Sequence, residues 1–180
     1  MNTRFRVQDM AVIALNAALL CVLAPISIPA GPIPFTLGAL AVYLCTAVTG
    51  ARRGTLSVLL YILIGAVGLP VFSGYTGGLQ KLVGLTGGYL VGYVLCALTA
   101  GLLIDRFAKT WWVYPLALVL GTVLLYLFGT VWFLIVGKGT LWAALAACVF
   151  PFLPFDLVKI ALSTAVGYPV RQQLVKRGLL

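Results

Sequence analysis

Histidine is absent from this chain of 180 residues, and acidic residues are scarce: Asp9, Asp105 and Asp156 are the three carboxylates. Without histidine there is no histidine-based zinc site, no histidine general base and no HExxH motif for proteolysis. The four cysteines form no CxxC pair and lie inside apolar segments, where cysteine is typically a small buried hydrophobe. We therefore predict that the protein is not an enzyme and that it binds neither a metal nor a cofactor.

Long apolar segments dominate what is present. The chain is 63% hydrophobic, with a mean hydropathy of +1.15, and a membrane-spanning helix needs about 20 apolar residues. Six segments approach or exceed this length and leave no room for a soluble domain: 7–24, 34–50, 55–72, 86–104, 111–136 and 141–170. The pattern predicts an all-α integral membrane protein in which residues 1–180 form one bundle of six transmembrane helices.

The net charge of +9 comes from basic residues scattered between apolar segments, which is not the clustering expected of a nucleic-acid-binding protein. With a cytoplasmic N-terminus, nine basic residues fall on the cytoplasmic side: Arg4, Arg6, Arg52, Arg53, Arg106, Lys109, Arg171, Lys176 and Arg177. Lys81, Lys138 and Lys159 do not. The split obeys the positive-inside rule, so both termini are predicted in the cytoplasm. Arg4 and Arg6 before an apolar run also fit a signal peptide, which would remove one span.

Asp156 and Lys159 lie in the last apolar segment, where each charge costs about 2.5 to 3.5 kcal/mol on insertion scales. Their i,i+3 spacing puts them on one face of a helix. Pro151 and Pro154 break the segment just upstream, so Asp156 falls near the start of a half-helix whose amides point into the membrane. Such a broken helix is typical of transporter binding sites. Alternatively, the two charges only neutralise each other, although such a pair rarely offsets its desolvation.

Residues 74–88 contain six glycines. Phe72, Tyr75, Thr86 and Tyr89 lie among or beside them, and free backbone donors next to aromatic faces suit a small ligand with apolar and polar parts. The alternative is a flexible linker, or a close-packed helix start with glycine at every fourth position.

Two other stretches interrupt the spans. Residues 24–34 hold four of the nine prolines and predict an outer loop with a stiff, extended backbone. Residues 141–150 would form a helix of about 15 Å, which covers only half of the hydrocarbon core. We therefore predict a re-entrant or interfacial half-helix near 141–150.

The first span carries an Ala14-xxx-Ala18 pair beside Asn16, the one strongly polar residue of the alanine-rich run at 11–18. Small residues four apart allow close approach of two membrane helices. The partner helix lies either within the protein's own bundle or in another membrane protein.

Several motifs occur in a fixed order along the chain. They are IPFTL at 33–37, RRG at 52–54, LLY at 59–61, GLPVF at 68–72, GGL at 77–79, GLTGGYL at 84–90 and PFLPFDLVK at 151–159. As a set they resemble the BioY family, the biotin-specific S components of energy-coupling factor (ECF) transporters.

The resemblance implies a six-helix subunit of a prokaryotic cytoplasmic membrane that captures biotin near its outer face. Energy would come from separate T and ATPase subunits, in agreement with the absence of a GxxxxGK[ST] motif. The face with Ala14 and Ala18 would contact the T component. The expected biotin-binding residues are Asp156, Lys159, Thr86, Gly87, Tyr89, Phe72, Gly74, Tyr75, Gly78 and Thr36. The alternative is a self-sufficient carrier or channel for another small vitamin.

Biotin has a carboxylate, a ureido ring that donates and accepts hydrogen bonds, and an apolar thiophane ring and chain. Lys159 would pair with the carboxylate or with a ureido oxygen, while Asp156 would accept ureido N–H groups or hold Lys159 in place. Aromatic residues of the glycine-rich stretch would cover the apolar part, with Thr86 and glycine amides as orienting donors. The sequence leaves the division of roles between the two charges open.

Overall fold

The computed structural model describes residues 7–29, 33–138 and 140–178. Arg4 and Arg6, which entered the topology prediction, and residues 30–32 of the proline-rich stretch lie outside these ranges. The described residues form seven helices: α1 (Val7–Leu23), α2 (Gly38–Ala66), α3 (Leu79–Val83), α4 (Gly87–Arg106), α5 (Val113–Gly137), α6 (Leu141–Cys148) and α7 (Leu153–Lys176). The all-α prediction is therefore confirmed, apart from two short strands, β1 (Ser27–Ile28) and β2 (Phe35–Thr36).

Gly50 divides α2 into two halves. Its φ of 78° and ψ of −169° are not helical and belong to a region that only glycine adopts readily. A Cβ on Gly54 would lie 3.3 Å from the Cα of Thr46, whereas eight residues of straight helix rise about 12 Å. The chain therefore turns back sharply at Gly50, which separates the second and third predicted apolar segments. Residues 51–54, which lie between those two segments, are helical, so the break is confined to this one residue.

Helices α4 and α5 pack closely because small residues line their contact. A Cβ on Gly92 would come within 2.8 Å of Leu125, and one on Gly88 would overlap Trp132. Gly121 and Gly129 of α5 face Cys96 and Tyr89 in the same way. The close-packing interpretation of the glycines is thus correct for the start of α4. Close approach brings the tyrosines of both helices to a common interior.

The last apolar segment is broken as its prolines predict. Helix α6 has only eight residues, and its axis is bent by 44° from that of α7 across residues 149–152. Three described helices are long and apolar enough to cross a membrane, namely α2, α4 and α5, and α6 with α7 makes a possible fourth. The apolar surface of α5 agrees with lipid contact, since Leu116, Val123 and Leu127 are each more than half exposed.

The bundle has two chemically different ends. At the hairpin end, β1 and β2 pair antiparallel, with Ser27 opposite Thr36 and Ile28 opposite Phe35. Residues 27–28 of the stretch predicted to be extended form β1 of this hairpin. At the opposite end, called the Gly50 end, the break in α2 meets the end of α4 and the last third of α7.

Candidate functional site

A cavity opens inside the bundle toward its hairpin end. Empty space within it and at its mouth, including volume open to solvent, amounts to about 700 Å³. Its lining residues come from most of the helices and from the hairpin: Ala24, Ile33, Pro34, Thr36, Ala39, Tyr61, Phe72, Ser73, Lys81, Thr86, Tyr89, Leu90, Tyr93, Leu125, Tyr126, Phe152, Asp156 and Lys159.

The ion pair predicted from the sequence is present on the cavity wall. Lys159 Nζ donates a hydrogen bond of 2.8 Å to Asp156 Oδ1. The side chains are 12% and 5% exposed, so both charges are largely withdrawn from solvent. Pro154 lies in the first turn of α7, which places Asp156 in that turn as well.

Neighbouring groups form further hydrogen bonds with this pair. Tyr126 of α5 donates a 2.6 Å hydrogen bond to Asp156 Oδ2, and Lys159 Nζ donates a second bond, of 3.1 Å, to the carbonyl oxygen of Thr36. The hydroxyl groups of Thr36 and Tyr93 lie 3.4 Å apart. Charges buried with this many hydrogen-bond partners are held in a fixed geometry. The pair thus ties α5, α7 and the hairpin together at the cavity.

Aromatic rings form the apolar part of the wall. Phe72 is 2% exposed, packs edge-to-face on Tyr61 at a centroid distance of 5.6 Å and lies directly against Gly65. Phe152, just before α7, stacks on Phe35 of β2 at 4.2 Å. An apolar cavity with a few fixed polar groups is typical of sites that bind a small amphipathic ligand.

The structure places six of the ten predicted ligand-binding residues on the cavity wall: Asp156, Lys159, Thr86, Tyr89, Phe72 and Thr36. Gly74, Tyr75, Gly78 and Gly87 do not line it. Tyr75 is 69% exposed. These four residues are close in sequence to residues that line the cavity but lie away from it, because local turns of the backbone fix their positions.

Those requirements are visible in the backbone. Gly74 and Gly78 have φ of 72° and 95°, and their N–H groups donate to the carbonyl oxygens of Pro25 and Gly65. A Cβ on Gly87 would overlap the carbonyl group of Leu82. These glycines let the chain turn from α2 into α3 and α4. The glycine-rich stretch therefore supports the cavity wall, and the cavity itself receives the side chains of Thr86 and Tyr89.

Four aromatic lining residues were not predicted, and Lys81 entered only the topology prediction; the four are Tyr126, Tyr93, Tyr61 and Phe152. Tyr89 and Tyr93 are four apart on α4, so their spacing could have indicated a shared helix face. Nothing in the sequence indicates that Tyr126 reaches Asp156, because this contact depends on the rotation of α5 against α7.

The functional groups on the cavity wall are suited to binding a small ligand. Its polar groups are hydroxyls, one carboxylate and two ammonium groups. In the part of the chain that the structure describes, no three Cys, Asp or Glu side chains gather where they could hold a metal ion.

The two alanines predicted to face a partner lie on the outer surface of α1. Ala14 and Ala18 are exposed, as are Leu15 and Val22, at 71% and 65%. The opposite face is packed, since Ala17 and Leu20 are at most 1% exposed. Packing of Ala14 and Ala18 within the protein's own bundle is therefore not observed.

A family model decides the relationship: the model of the BioY family matches residues 1–176. The chain belongs to the BioY family. Among curated BioY relatives, the biotin transporter BioY of Thermotoga maritima is 41% identical over 160 residues, which cover 89% of this chain and 94% of that protein. The biotin transporter BioY of Rhodobacter capsulatus is 36% identical over 183 residues, covering 92% and 94%.

A solved structure has the same fold. The crystal structure of the S-component for biotin from an ECF-type ABC transporter superposes with a TM-score of 0.86 over 96% of this chain and 95% of that one. Sequence identity is 23%. The fold of this chain is thus that of the solved S-component structure.

Proposed function

We propose that this chain is the biotin-binding S component of an ECF-type transporter and takes part in biotin uptake. The observation that carries the proposal is the buried Asp156–Lys159 pair on the wall of a mostly apolar cavity, in a chain of the BioY family. The curated relatives named above are biotin transporters. A carrier for another vitamin is therefore not favoured, and transport implies no catalysis.

The cavity matches the chemistry of biotin. The ureido ring needs both hydrogen-bond donors and acceptors, which the ion pair and the hydroxyl groups of Tyr93 and Thr86 supply. The thiophane ring and chain need an apolar surface, which Phe72, Phe152 and Leu125 supply. The polar groups and the apolar surface of the cavity thus favour the same ligand.

Direct binding tests the proposal. We expect the purified protein in detergent to bind biotin with 1:1 stoichiometry and without ATP, as measured by isothermal titration calorimetry. Thiamine and riboflavin, which lack biotin's ureido ring and carboxylate, serve as controls. Absence of biotin binding at high micromolar concentration, with a folded protein shown by its thermal transition, would overturn the proposal.

We propose six membrane crossings with both termini in the cytoplasm. Helix α1, the two halves of α2, α4, α5 and α7 supply the crossings, and α6 is the interfacial or re-entrant half-helix. Among the described basic residues, seven belong to the Gly50 end: Arg52, Arg53, Arg106, Lys109, Arg171, Lys176 and Arg177. An excess of basic residues favours the cytoplasmic side for that end, so the cavity faces outward in a prokaryotic cytoplasmic membrane. Labelling of single cysteines introduced at Tyr75 and Arg177 in intact cells tests this orientation.

We further propose that the exposed face of α1 docks the transmembrane T component, which links the chain to ATPase subunits. Ala14 and Ala18 present little side-chain bulk, so another helix can approach closely there. Ala18→Trp should abolish uptake by cells expressing the whole transporter and leave biotin binding by the isolated chain unchanged. Leu127→Trp, on the exposed surface of α5, is the matched control. Normal uptake by Ala18→Trp would contradict this docking face.

A further inference from the structure

The cavity wall carries more positive than negative charge. Its charged side chains are Asp156, Lys159 and Lys81, which give −1, +1 and +1, a sum of +1. Lys81 comes from α3, and the other two come from α7. A ligand with a single negative charge would therefore neutralise the cavity.

The two lysines differ in their partners. Lys159 donates to Asp156 Oδ1 at 2.8 Å and to the Thr36 carbonyl oxygen at 3.1 Å, so two of its three N–H groups are in use. Lys81 is half-buried and, among the described residues, has no carboxylate within 4 Å. An ammonium group without an internal counter-ion gains most from an anionic ligand.

We propose that Lys81 receives the carboxylate of the ligand, while the Asp156–Lys159 pair and its hydrogen-bonded tyrosine bind the uncharged polar ring. This assignment rests on the proposed function and divides the roles that the sequence leaves open. If Lys159 bound the carboxylate instead, Asp156 would have to share its counter-ion with a second anion in a largely buried space, where like charges repel. Lys81 has no described carboxylate within 4 Å, so no such conflict arises.

The test removes the charge from the protein and from the ligand separately. Affinities are measured for biotin and for its neutral amide on the wild type, Lys81→Gln, Lys81→Arg and Lys159→Met. Lys138→Gln is the matched control, since Lys138 is exposed at the end of α5 and is not part of the cavity wall. This control separates direct pairing from general attraction of an anion to a positively charged protein.

We expect the wild type to bind biotin at least tenfold more tightly than the amide. Lys81→Gln should reduce that preference to less than threefold and leave affinity for the amide unchanged. Lys81→Arg should keep most of the preference, and Lys138→Gln all of it. Lys159→Met should weaken binding of both ligands by a similar factor.

Two outcomes would overturn the assignment while leaving biotin binding intact. One is a Lys81→Gln variant that keeps the wild-type preference for the carboxylate. The other is loss of that preference in Lys159→Met, which would place the carboxylate at α7. Failure of the wild type to bind either ligand would instead overturn the proposed function, and the assignment of Lys81 with it.

Discussion

Helix α7 carries one ion pair near each of its ends, and the two pairs differ in their surroundings. Asp156 and Lys159 occupy the hairpin end, whereas Arg171 reaches from the Gly50 end to Asp105 of α4 at 2.6 Å. Fifteen residues separate Asp156 from Arg171, about 22 Å along the helix. The chain thus retains two costly charge pairs in one apolar helix.

The pair at the Gly50 end is joined to the backbone. Asp105 Oδ2 accepts the N–H of Ala51 at 2.9 Å, and Arg171 Nη1 donates to the carbonyl oxygen of Val48 at 3.4 Å. Both backbone groups flank Gly50, where the helical ladder is interrupted. A Cβ on Gly50 would overlap the Asp105 carboxylate. This pair therefore supplies hydrogen-bond partners to the backbone groups beside the break in α2. It leaves no room for a ligand.

The comparison shows that a buried ion pair alone does not identify a binding site. Both pairs have short hydrogen bonds and a partly shielded arginine or lysine. Only the pair at the hairpin end faces empty space, and its tyrosine and carbonyl partners also belong to the cavity wall. Free volume beside the charges separates a ligand-binding role from a structural one.

The largest expected effect is on biotin affinity at the hairpin end. Asp156→Asn and Lys159→Met should each weaken binding by more than tenfold, because each leaves a charge or a ligand group unpaired in a largely buried site, at a cost of roughly 2 kcal/mol or more. Titration calorimetry on the purified variants measures this. The double variant should lose less than the sum of the two single losses, because the charges act as a unit.

Arg171→Met is the matched control at the other end of the same helix. It should lower thermal stability and keep biotin affinity within a factor of about two in the folded fraction. Wild-type affinity in both Asp156→Asn and Lys159→Met would show that the two ends are alike and that both pairs are structural.

The sequence predicts those parts of the site that depend on local geometry. The i,i+3 spacing and the two prolines are enough to place Asp156 and Lys159 together in the first turns of one helix, because helix periodicity fixes that relationship. Thr86 and Tyr89 follow similarly from their position at the start of α4. These predictions need no knowledge of how the helices pack.

Contacts between distant segments were not predictable in this way. Tyr126 and Asp156 are 30 residues apart, Thr36 and Lys159 are 123 apart, and each contact depends on helix rotation and on the hairpin. The apolar segments 34–50 and 55–72 leave residues 51–54 between them, but these residues are helical, and Asp105 and Arg171 hydrogen-bond to the backbone on either side of a tighter reversal at Gly50. A carboxylate on α4 has no sequence signal for this role.

A smaller effect is expected at Tyr126. Tyr126→Phe removes the 2.6 Å hydrogen bond to Asp156 Oδ2 and should weaken biotin binding by about three- to tenfold, since hydrogen bonds to charged groups contribute about 1.5 kcal/mol or somewhat more and water or ligand can replace part of this. Tyr43→Phe is the matched control. Tyr43 shares a 2.7 Å hydrogen bond with Thr122 but does not line the cavity, so its loss should lower stability alone. Equal affinities for the two variants would remove Tyr126 from the site.

The smallest effect is expected at Asp105, where the comparison between the two ends is sharpest. Asp105→Asn keeps an oxygen that can accept the Ala51 N–H, but its NH2 group then faces Arg171, so the charge and the hydrogen bond from Arg171 are both lost. The side chain of Asp105 is 41% exposed and that of Arg171 is 10% exposed, so solvent screens the pair in part and the loss of unfolding free energy should be about 1 kcal/mol. Thermal unfolding followed by tryptophan fluorescence should show that the melting temperature decreases by a few degrees, and biotin affinity should stay at the wild-type value.

Gly50→Ala provides the harsher perturbation of the same end, because its Cβ would meet the carboxylate of Asp105. If Asp105→Asn weakens biotin binding as strongly as Asp156→Asn does, the Gly50 end is coupled to the cavity through α7, and the division between a structural and a binding pair is wrong.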